Sequence, residues 1–170
     1  IRSPHPRALF ELGDLDAFIQ TNPGLVRIFT AMDIPGKNYF GVIPDFAEQP
    51  VFAVGKVRFR GEAIAAIAGE AKAMEALDLR DFPVTWTPQQ EILTLGDAIA
   101  PTAPQLFADR SGNLLTKGMV QTGDLKTAFD SAEAVVEDKF RTSFVEHAYI
   151  EPEAGYAQRV ADRVEIRACT

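Results

Sequence analysis

Two strand–helix–strand patterns constrain the fold of this chain more than any other feature of its sequence. In the first pattern, residues 8–12 and 25–30 are rich in β-forming side chains and each is short enough to be a single strand. Between them, Asp14 is a suitable N-cap because its carboxylate can accept hydrogen bonds from the free N–H groups of a helix's first turn. The sequence Asn22-Pro23-Gly24 ends that helix, since proline and glycine favour turns.

The second pattern occupies residues 57–87, where helix propensity and periodicity disagree. The middle of this stretch is so rich in alanine that propensity alone favours one long helix. Gly61 and Gly69 interrupt the run, so we predict a strand that ends just before Gly69, a helix just after it, and a last strand at residues 83–87. Met74 then lies on the apolar face of the helix and belongs to the core.

Two such units predict an α/β domain, with helices packed on a mixed sheet, over residues 1–100. Residues 101–122 are poor in periodicity and contain proline and glycine, which is typical of a linker. A short helix and a strand at residues 134–137 then indicate the start of a second domain, residues 123–170. This second part has too few elements to enclose a core of its own.

The total charge and the cysteine content exclude several classes of protein. A net charge of -7 and the absence of any Lys/Arg run disfavour nucleic acid and anionic membranes as partners. A single cysteine, Cys169, excludes a disulfide within the chain and is consistent with a cytoplasmic location. The chain starts without methionine and ends in a strand-like run, so we expect it to be a piece of a longer protein.

The segment of residues 140–157 holds the most promising group of reactive side chains. His147 is one of two histidines, and three carboxylates, Glu146, Glu151 and Glu153, stand close to it in sequence. The simplest interpretation is an extended segment with a hydrogen-bonded histidine. A metal hydrolase using His5 and His147 is disfavoured, because neither histidine belongs to a His-x-x-x-His or Glu-x-x-His arrangement.

The long loop of residues 31–54 supports a different hypothesis. It contains three aromatic residues, Tyr39, Phe40 and Phe46, and a loop of this length in a compact domain is usually functional or packed on a neighbour. Exposed aromatic side chains would form a contact surface for other protein. The chain would then be a stand-alone protein–protein interaction module, with residues 34–46 as its docking loop.

Six short motifs occur in a fixed order along the chain. They are Ile-Arg-Ser-Pro-His at positions 1–5, Pro-Gly-Leu-Val at 23–26, Asp-Ile-Pro-Gly-Lys-Asn at 33–38, Val-Arg-Phe-Arg-Gly-Glu at 57–62, Gly-Asp at 123–124 ahead of Val-Val-Glu at 135–137, and Glu-His-Ala-Tyr-Ile-Glu-Pro at 146–152. Together they resemble the large, molybdenum-binding subunit of the xanthine dehydrogenase and aldehyde oxidase family. The resemblance covers almost the whole chain.

The resemblance implies both a fold and an activity. Residues 1–100 would be the α/β hammerhead domain of an N-terminal fragment, and residues from 123 onward the first strands of the molybdopterin-binding domain. The complete oxidoreductase would hydroxylate a purine, another N-heterocycle or an aldehyde with oxygen from water. Its cofactors would be molybdopterin with molybdenum, together with 2Fe–2S clusters and FAD in partner subunits or domains. The fragment itself would bind none of them and be inactive.

The resemblance also assigns roles to a few residues. Val145, Glu146, His147 and Glu151 would lie near the cofactor, mainly as scaffold, while the family's catalytic glutamate would lie beyond Thr170. No metal ligand is implied in this stretch. Val145 stands where many members have a glutamine, and a valine cannot donate a hydrogen bond to a metal oxo group. Glu62 replaces another common glutamine and would place a charge in a pocket wall.

Overall fold

The computed structural model describes residues 1–41, 47–152 and 154–169. The helices are α1 (Leu15–Thr21), α2 (Ala71–Ala76), α3 (Leu95–Ile99) and α4 (Leu125–Asp130). The strands are β1 (Ala8–Leu12), β2 (Leu25–Phe29), β3 (Lys56–Val57), β4 (Ala66–Gly69), β5 (Val84–Pro88), β6 (Gly155–Val160) and β7 (Arg163–Ala168). The chain divides into two compact units, Ile1–Met119 and Val120–Thr170.

The first unit contains two small antiparallel sheets in its described residues, where the sequence predicts one mixed sheet. One sheet has the order β3-β1-β5, and the other pairs β2 with β4. Leu9 of β1 lies opposite Thr87 of β5, and Ile28 of β2 lies opposite Ile67 of β4. Each strand–helix–strand pattern therefore gives one strand to each sheet. Local periodicity identifies strands but not these pairings, which join residues far apart in sequence.

Helix α1 begins and ends as its sequence predicts. The Asp14 carboxylate accepts a hydrogen bond from the Ala17 N–H at 2.8 Å, and the Asn22 N–H donates to the Ile19 carbonyl. Phe18 is the buried residue of the helix, and its ring meets that of Phe82 edge-on at 5.5 Å. The helix is thus fastened at its N-terminus by a cap and at its middle by an aromatic contact.

The strand predicted for residues 57–68 is replaced by two short strands and a turn. β3 stops at Val57, and the Glu62 N–H then donates to the Phe59 carbonyl across a tight turn. Gly61 within this turn has φ +91°, a conformation that favours glycine. The chain resumes as β4 only at Ala66, in the other sheet. The alternation before Gly61 wrongly predicts one strand, because periodicity does not reveal where a turn redirects the chain.

The core of the first unit lies between the two sheets and the helices that flank them. Met74, predicted to belong to the core, packs against it from α2 together with Leu77. The buried residues that form the core are Ala8, Phe10, Phe18, Leu25, Ile28, Ala53, Val57, Ile64, Ala65 and Phe82.

The long loop before β3 is held by its own hydrogen bonds. The Asn38 side chain donates to the Phe52 carbonyl at 2.8 Å and accepts from the Phe52 N–H at 3.1 Å. The Phe40 N–H donates to the Gln49 carbonyl, which forms an isolated bridge. Of the predicted contact residues, Tyr39 and Phe40 are exposed, and Phe46 lies outside the described residues.

The second unit consists of one helix, a long extended segment and one hairpin. Asp124 caps α4, and β6 pairs antiparallel with β7, Tyr156 lying opposite Arg167. The predicted strand at residues 134–137 is not formed: in the described part of this unit no strand lies beside it to accept its backbone hydrogen bonds. No described residue between 120 and 169 is buried.

In the part of the chain that the structure describes, no helix has both the length and the apolar character needed to cross a bilayer.

Candidate functional site

The four residues predicted to lie near a cofactor are in the extended segment that precedes β6. Val145, Glu146, His147 and Glu151 are all exposed, Val145 to 75%. They follow one another along irregular backbone between α4 and the hairpin, so their spacing is set by chain direction rather than by a helix or a sheet.

The structure brings together the middle of this segment. The Glu146 carboxylate accepts a hydrogen bond from the His147 N–H at 3.1 Å, and the His147 ring stacks on the Tyr149 ring with centroids 5.7 Å apart and planes 6° from parallel. Ala148, which lies between His147 and Tyr149 in sequence, has φ 53°, in the left-handed region that residues other than glycine seldom adopt. Tyr149 was not among the predicted site residues. Its position, two residues after His147, is the sequence feature from which it could have been included.

The other two predicted residues stand apart from that pair. Among the described residues, neither Val145 nor Glu151 makes a side-chain hydrogen bond, and Glu151 precedes Pro152, which favours extended backbone at the glutamate. Glu153, the third carboxylate singled out by the sequence, lies outside the described residues.

Histidines and carboxylates do not form a metal cluster in the described residues. No group of three or more His, Cys, Asp or Glu side chains there is placed to hold a metal ion. His5, the other histidine, belongs to the first unit, where it meets the Trp86 ring edge-on at 5.6 Å. The His5 imidazole thus packs against an aromatic ring and does not belong to a metal-binding group in the described residues.

The Glu62 side chain occupies the most buried polar position of the first unit's described part. Glu62 is 2% exposed, and its carboxylate lies 2.7 Å from the guanidinium of Arg58. The same carboxylate accepts a hydrogen bond from the Arg58 N–H at 2.6 Å, because the turn at Gly61 folds the chain back on itself. The charge expected in a pocket wall is therefore paired, and it supports a turn. Sequence reasoning named Glu62 but missed Arg58, which the spacing of four residues could have indicated.

The predicted site residues carry polar groups that can meet a ligand from one side. Carboxylates, an imidazole and a phenol can hydrogen-bond the edge of a pterin. A small-molecule site, however, usually encloses most of its ligand's surface. Four exposed residues on one extended segment supply contacts from one side only, so enclosure requires other parts of a protein.

Two family models match the chain in succession. The model described as aldehyde oxidase and xanthine dehydrogenase, a/b hammerhead domain, matches residues 1–88. The model described as molybdopterin cofactor-binding domain matches residues 106–170. The four predicted site residues and Tyr149 all fall within the second match, whereas Arg58 and Glu62 fall within the first.

Individual relatives agree with these matches. The chain is 33% identical over 135 residues to a probable xanthine dehydrogenase subunit of Bacillus subtilis (strain 168), covering 79% of this chain and 17% of that protein. It is 34% identical over 134 residues to the nicotinate dehydrogenase large molybdopterin subunit of Eubacterium barkeri, covering 78% of this chain and 30% of that protein. The chain thus spans less than a third of the length of either relative.

These matches confirm the resemblance seen in the six sequence motifs and the α/β hammerhead class of the first unit. The hammerhead model alone matches residues 1–88 of the 170 residues, which is more than half of the chain. The chain belongs to the aldehyde oxidase and xanthine dehydrogenase family.

Proposed function

We propose that this chain forms the hammerhead domain and the opening of the molybdopterin-binding domain in a molybdenum hydroxylase. The hammerhead domain would occupy residues 1–100, followed by a linker at 101–122 and the cofactor-binding domain from residue 123. The observation that carries the proposal is the order of the two family matches, residues 1–88 and then 106–170, within one chain.

The reaction we propose is hydroxylation of an N-heterocycle or an aldehyde with oxygen from water. The names of the relatives support this class, since they include a probable xanthine dehydrogenase and a nicotinate dehydrogenase. Molybdopterin with molybdenum would supply the redox chemistry when bound. Electrons would leave through 2Fe–2S clusters and FAD held by partner subunits or domains, and the whole would work in the cytoplasm.

The residues of this chain would shape one side of the cofactor site. His147 and Tyr149, stacked 5.7 Å apart, would present two flat rings and their polar tips. Glu146 would fix the backbone beside them through its hydrogen bond to the His147 N–H. Val145 would leave its side of the site apolar, because it has no donor to offer the molybdenum centre. Glu151 would act as scaffold, and all four would be positioning residues rather than catalytic ones.

The proposal is tested by separating the 170-residue chain from the complete protein. In the complete protein we expect stoichiometric molybdenum and oxidation of xanthine, nicotinate or an aldehyde. The 170-residue chain alone should contain neither molybdenum nor activity. Stoichiometric molybdenum on the short chain would contradict the placement of the site, and a complete protein that is folded but free of molybdenum would contradict the proposed function.

The alternative of a stand-alone interaction module has less support. Exposure of Tyr39 and Phe40 is the observation in its favour, but the loop that carries them is fastened by the Asn38 hydrogen bonds to Phe52. The family matches cover both units of the chain and favour the hydroxylase.

A further inference from the structure

The end of the first unit, which the sequence predicts as linker, is folded around one asparagine. The Asn113 side chain donates to the carbonyls of Ala98 and Pro104, both at 3.0 Å, and accepts from the Leu106 N–H at 2.9 Å. A single side chain therefore joins the end of α3 to the stretch that follows it. Residues 98–113 form a closed loop, which we name the connector.

The connector also rests on the hammerhead part through a second set of contacts. The Phe107 ring centroid lies 4.7 Å from the Arg58 guanidinium carbon and 4.8 Å from that of Arg110. Beside it, the Lys56 ammonium donates to the Leu106 carbonyl at 3.1 Å. Cations that lie within about 6 Å of an aromatic ring centre are attracted to its face. Phe107 is thus in contact with two cations, Arg58 from the hammerhead part and Arg110 from the connector.

The Arg58 guanidinium is held beside Phe107 by hydrogen bonds from its edge. Its Nε and Nη2 donate to the Glu62 carboxylate at 3.3 Å and 2.7 Å, and its Nη1 donates to the Glu48 carbonyl at 3.3 Å. A guanidinium uses its edge for such forked hydrogen bonds and its face for stacking. The buried carboxylate of Glu62 therefore holds in place the guanidinium that lies over the Phe107 ring.

We propose that Arg58, Phe107 and Arg110 form a clasp that fixes the connector to the hammerhead domain. The clasp makes the connector part of the rigid hammerhead unit, and it confines the flexible part of the predicted linker to the residues after 113. It is a positioning device: it sets where the chain that leads into the cofactor-binding domain starts. The clasp consists of intramolecular contacts and is independent of the reaction proposed for the complete protein.

Amide hydrogen exchange in the full-length protein tests the clasp. The Leu106 and Arg110 N–H groups, which bond to the Asn113 side chain and the Phe107 carbonyl, report on the connector. In F107A and F107L we expect both amides to exchange about tenfold faster, because the cation–π contacts are lost while F107L keeps most of the apolar volume. F107Y keeps an aromatic face and should exchange at the wild-type rate.

A matched control removes a cation–π contact elsewhere in the same unit. The Arg27 guanidinium lies 4.9 Å from the Phe29 ring on β2, so F29L makes the same chemical change away from the connector. It should leave the exchange of Leu106 and Arg110 unchanged. Wild-type exchange in F107A would show that Asn113 alone holds the connector, and wild-type exchange in F107L would show that apolar packing suffices. Either result would overturn the clasp.

Discussion

The carboxylate of Glu62 lies 2.7 Å from the guanidinium of Arg58, and both groups are removed from solvent, with side-chain exposures of 2% and 15%. The pair joins the two ends of a turn that also brings the start of the chain alongside, since Ser3 donates its N–H to the Glu62 carbonyl and accepts from the Gly61 N–H. The carboxylate thus holds the turn whose backbone binds Ser3, and it also holds the guanidinium that lies over the Phe107 ring.

Removing this carboxylate should destabilise the first unit. In E62A a half-buried guanidinium and the Arg58 N–H lose their partner, and we expect the free energy of unfolding to fall by about 3 kcal/mol. E62Q keeps a neutral acceptor of the same shape and should cost less. Urea unfolding followed by fluorescence of Trp86, the single tryptophan, measures the loss in the first unit. R80A, which breaks the exposed Arg80–Asp78 pair, should leave the midpoint unchanged.

A methyl group at position 24 should also destabilise the first unit. Gly24 has φ +94°, and a Cβ there would come 2.6 Å from the Cβ of Ala73 on α2. We expect G24A to lower the free energy of unfolding by about 2–4 kcal/mol, from left-handed backbone strain and overpacking together. A Cβ added at Gly36 would meet no atom within 4 Å, so G36A is the matched control. Equal stability of the two variants would contradict the close approach of α2.

The hydrogen bonds that the Asp33 carboxylate accepts predict how the stability of the first unit depends on pH. The Thr30 N–H and the Arg27 guanidinium, both donating to the Asp33 carboxylate, hold its pKa below the ordinary value of 3.8. Because the pKa is lowered in the folded state, the stabilisation is present above 3.8 and is lost as the pH falls through the folded value. Urea unfolding of the wild type and D33N should show a difference at neutral pH that shrinks in acid. A difference independent of pH would rule out this role for Asp33.

A hydrogen-bond donor at position 145 should change the reaction of the complete protein without changing its cofactor content. In the site proposed for the complete protein, V145Q would add an amide facing the molybdenum centre, and we expect kcat to rise by roughly tenfold, the effect of one net hydrogen bond gained in the transition state. Molybdenum content should stay stoichiometric. V145L adds bulk without a donor and should keep the wild-type kcat. Identical rates for V145Q and V145L would place residue 145 away from the reacting atoms.

The fold could be predicted from sequence wherever the signal is local. The cap at Asp14 and the apolar alternation of β1, β2 and β5 are properties of a few neighbouring residues, and all were found. The turn at Gly61 was missed because a glycine and an alternating run do not state which sheet the chain enters next. The pairing of β1 with β5 was also inaccessible, since it joins residues more than seventy positions apart.

In the candidate site too, local features could be predicted from sequence and long-range contacts could not. The cluster of Glu146 and His147 was visible as a sequence motif, and the structure joins them by a hydrogen bond. Phe107 could not be assigned from sequence, because its partner Arg58 lies some fifty residues away and the intervening chain must fold first. The cofactor residues proposed at 145–151 stay a prediction from the sequence motif, since one extended segment does not form an enclosed site.

Each sheet of the first unit combines strands from before and after the long loop. This pairing has a consequence for how the unit folds. β1 needs β5 and β2 needs β4, so neither the residues before the long loop nor those after it can complete a sheet by themselves. Folding of the two halves is therefore mutually dependent, since neither sheet of the first unit forms until strands from both halves meet.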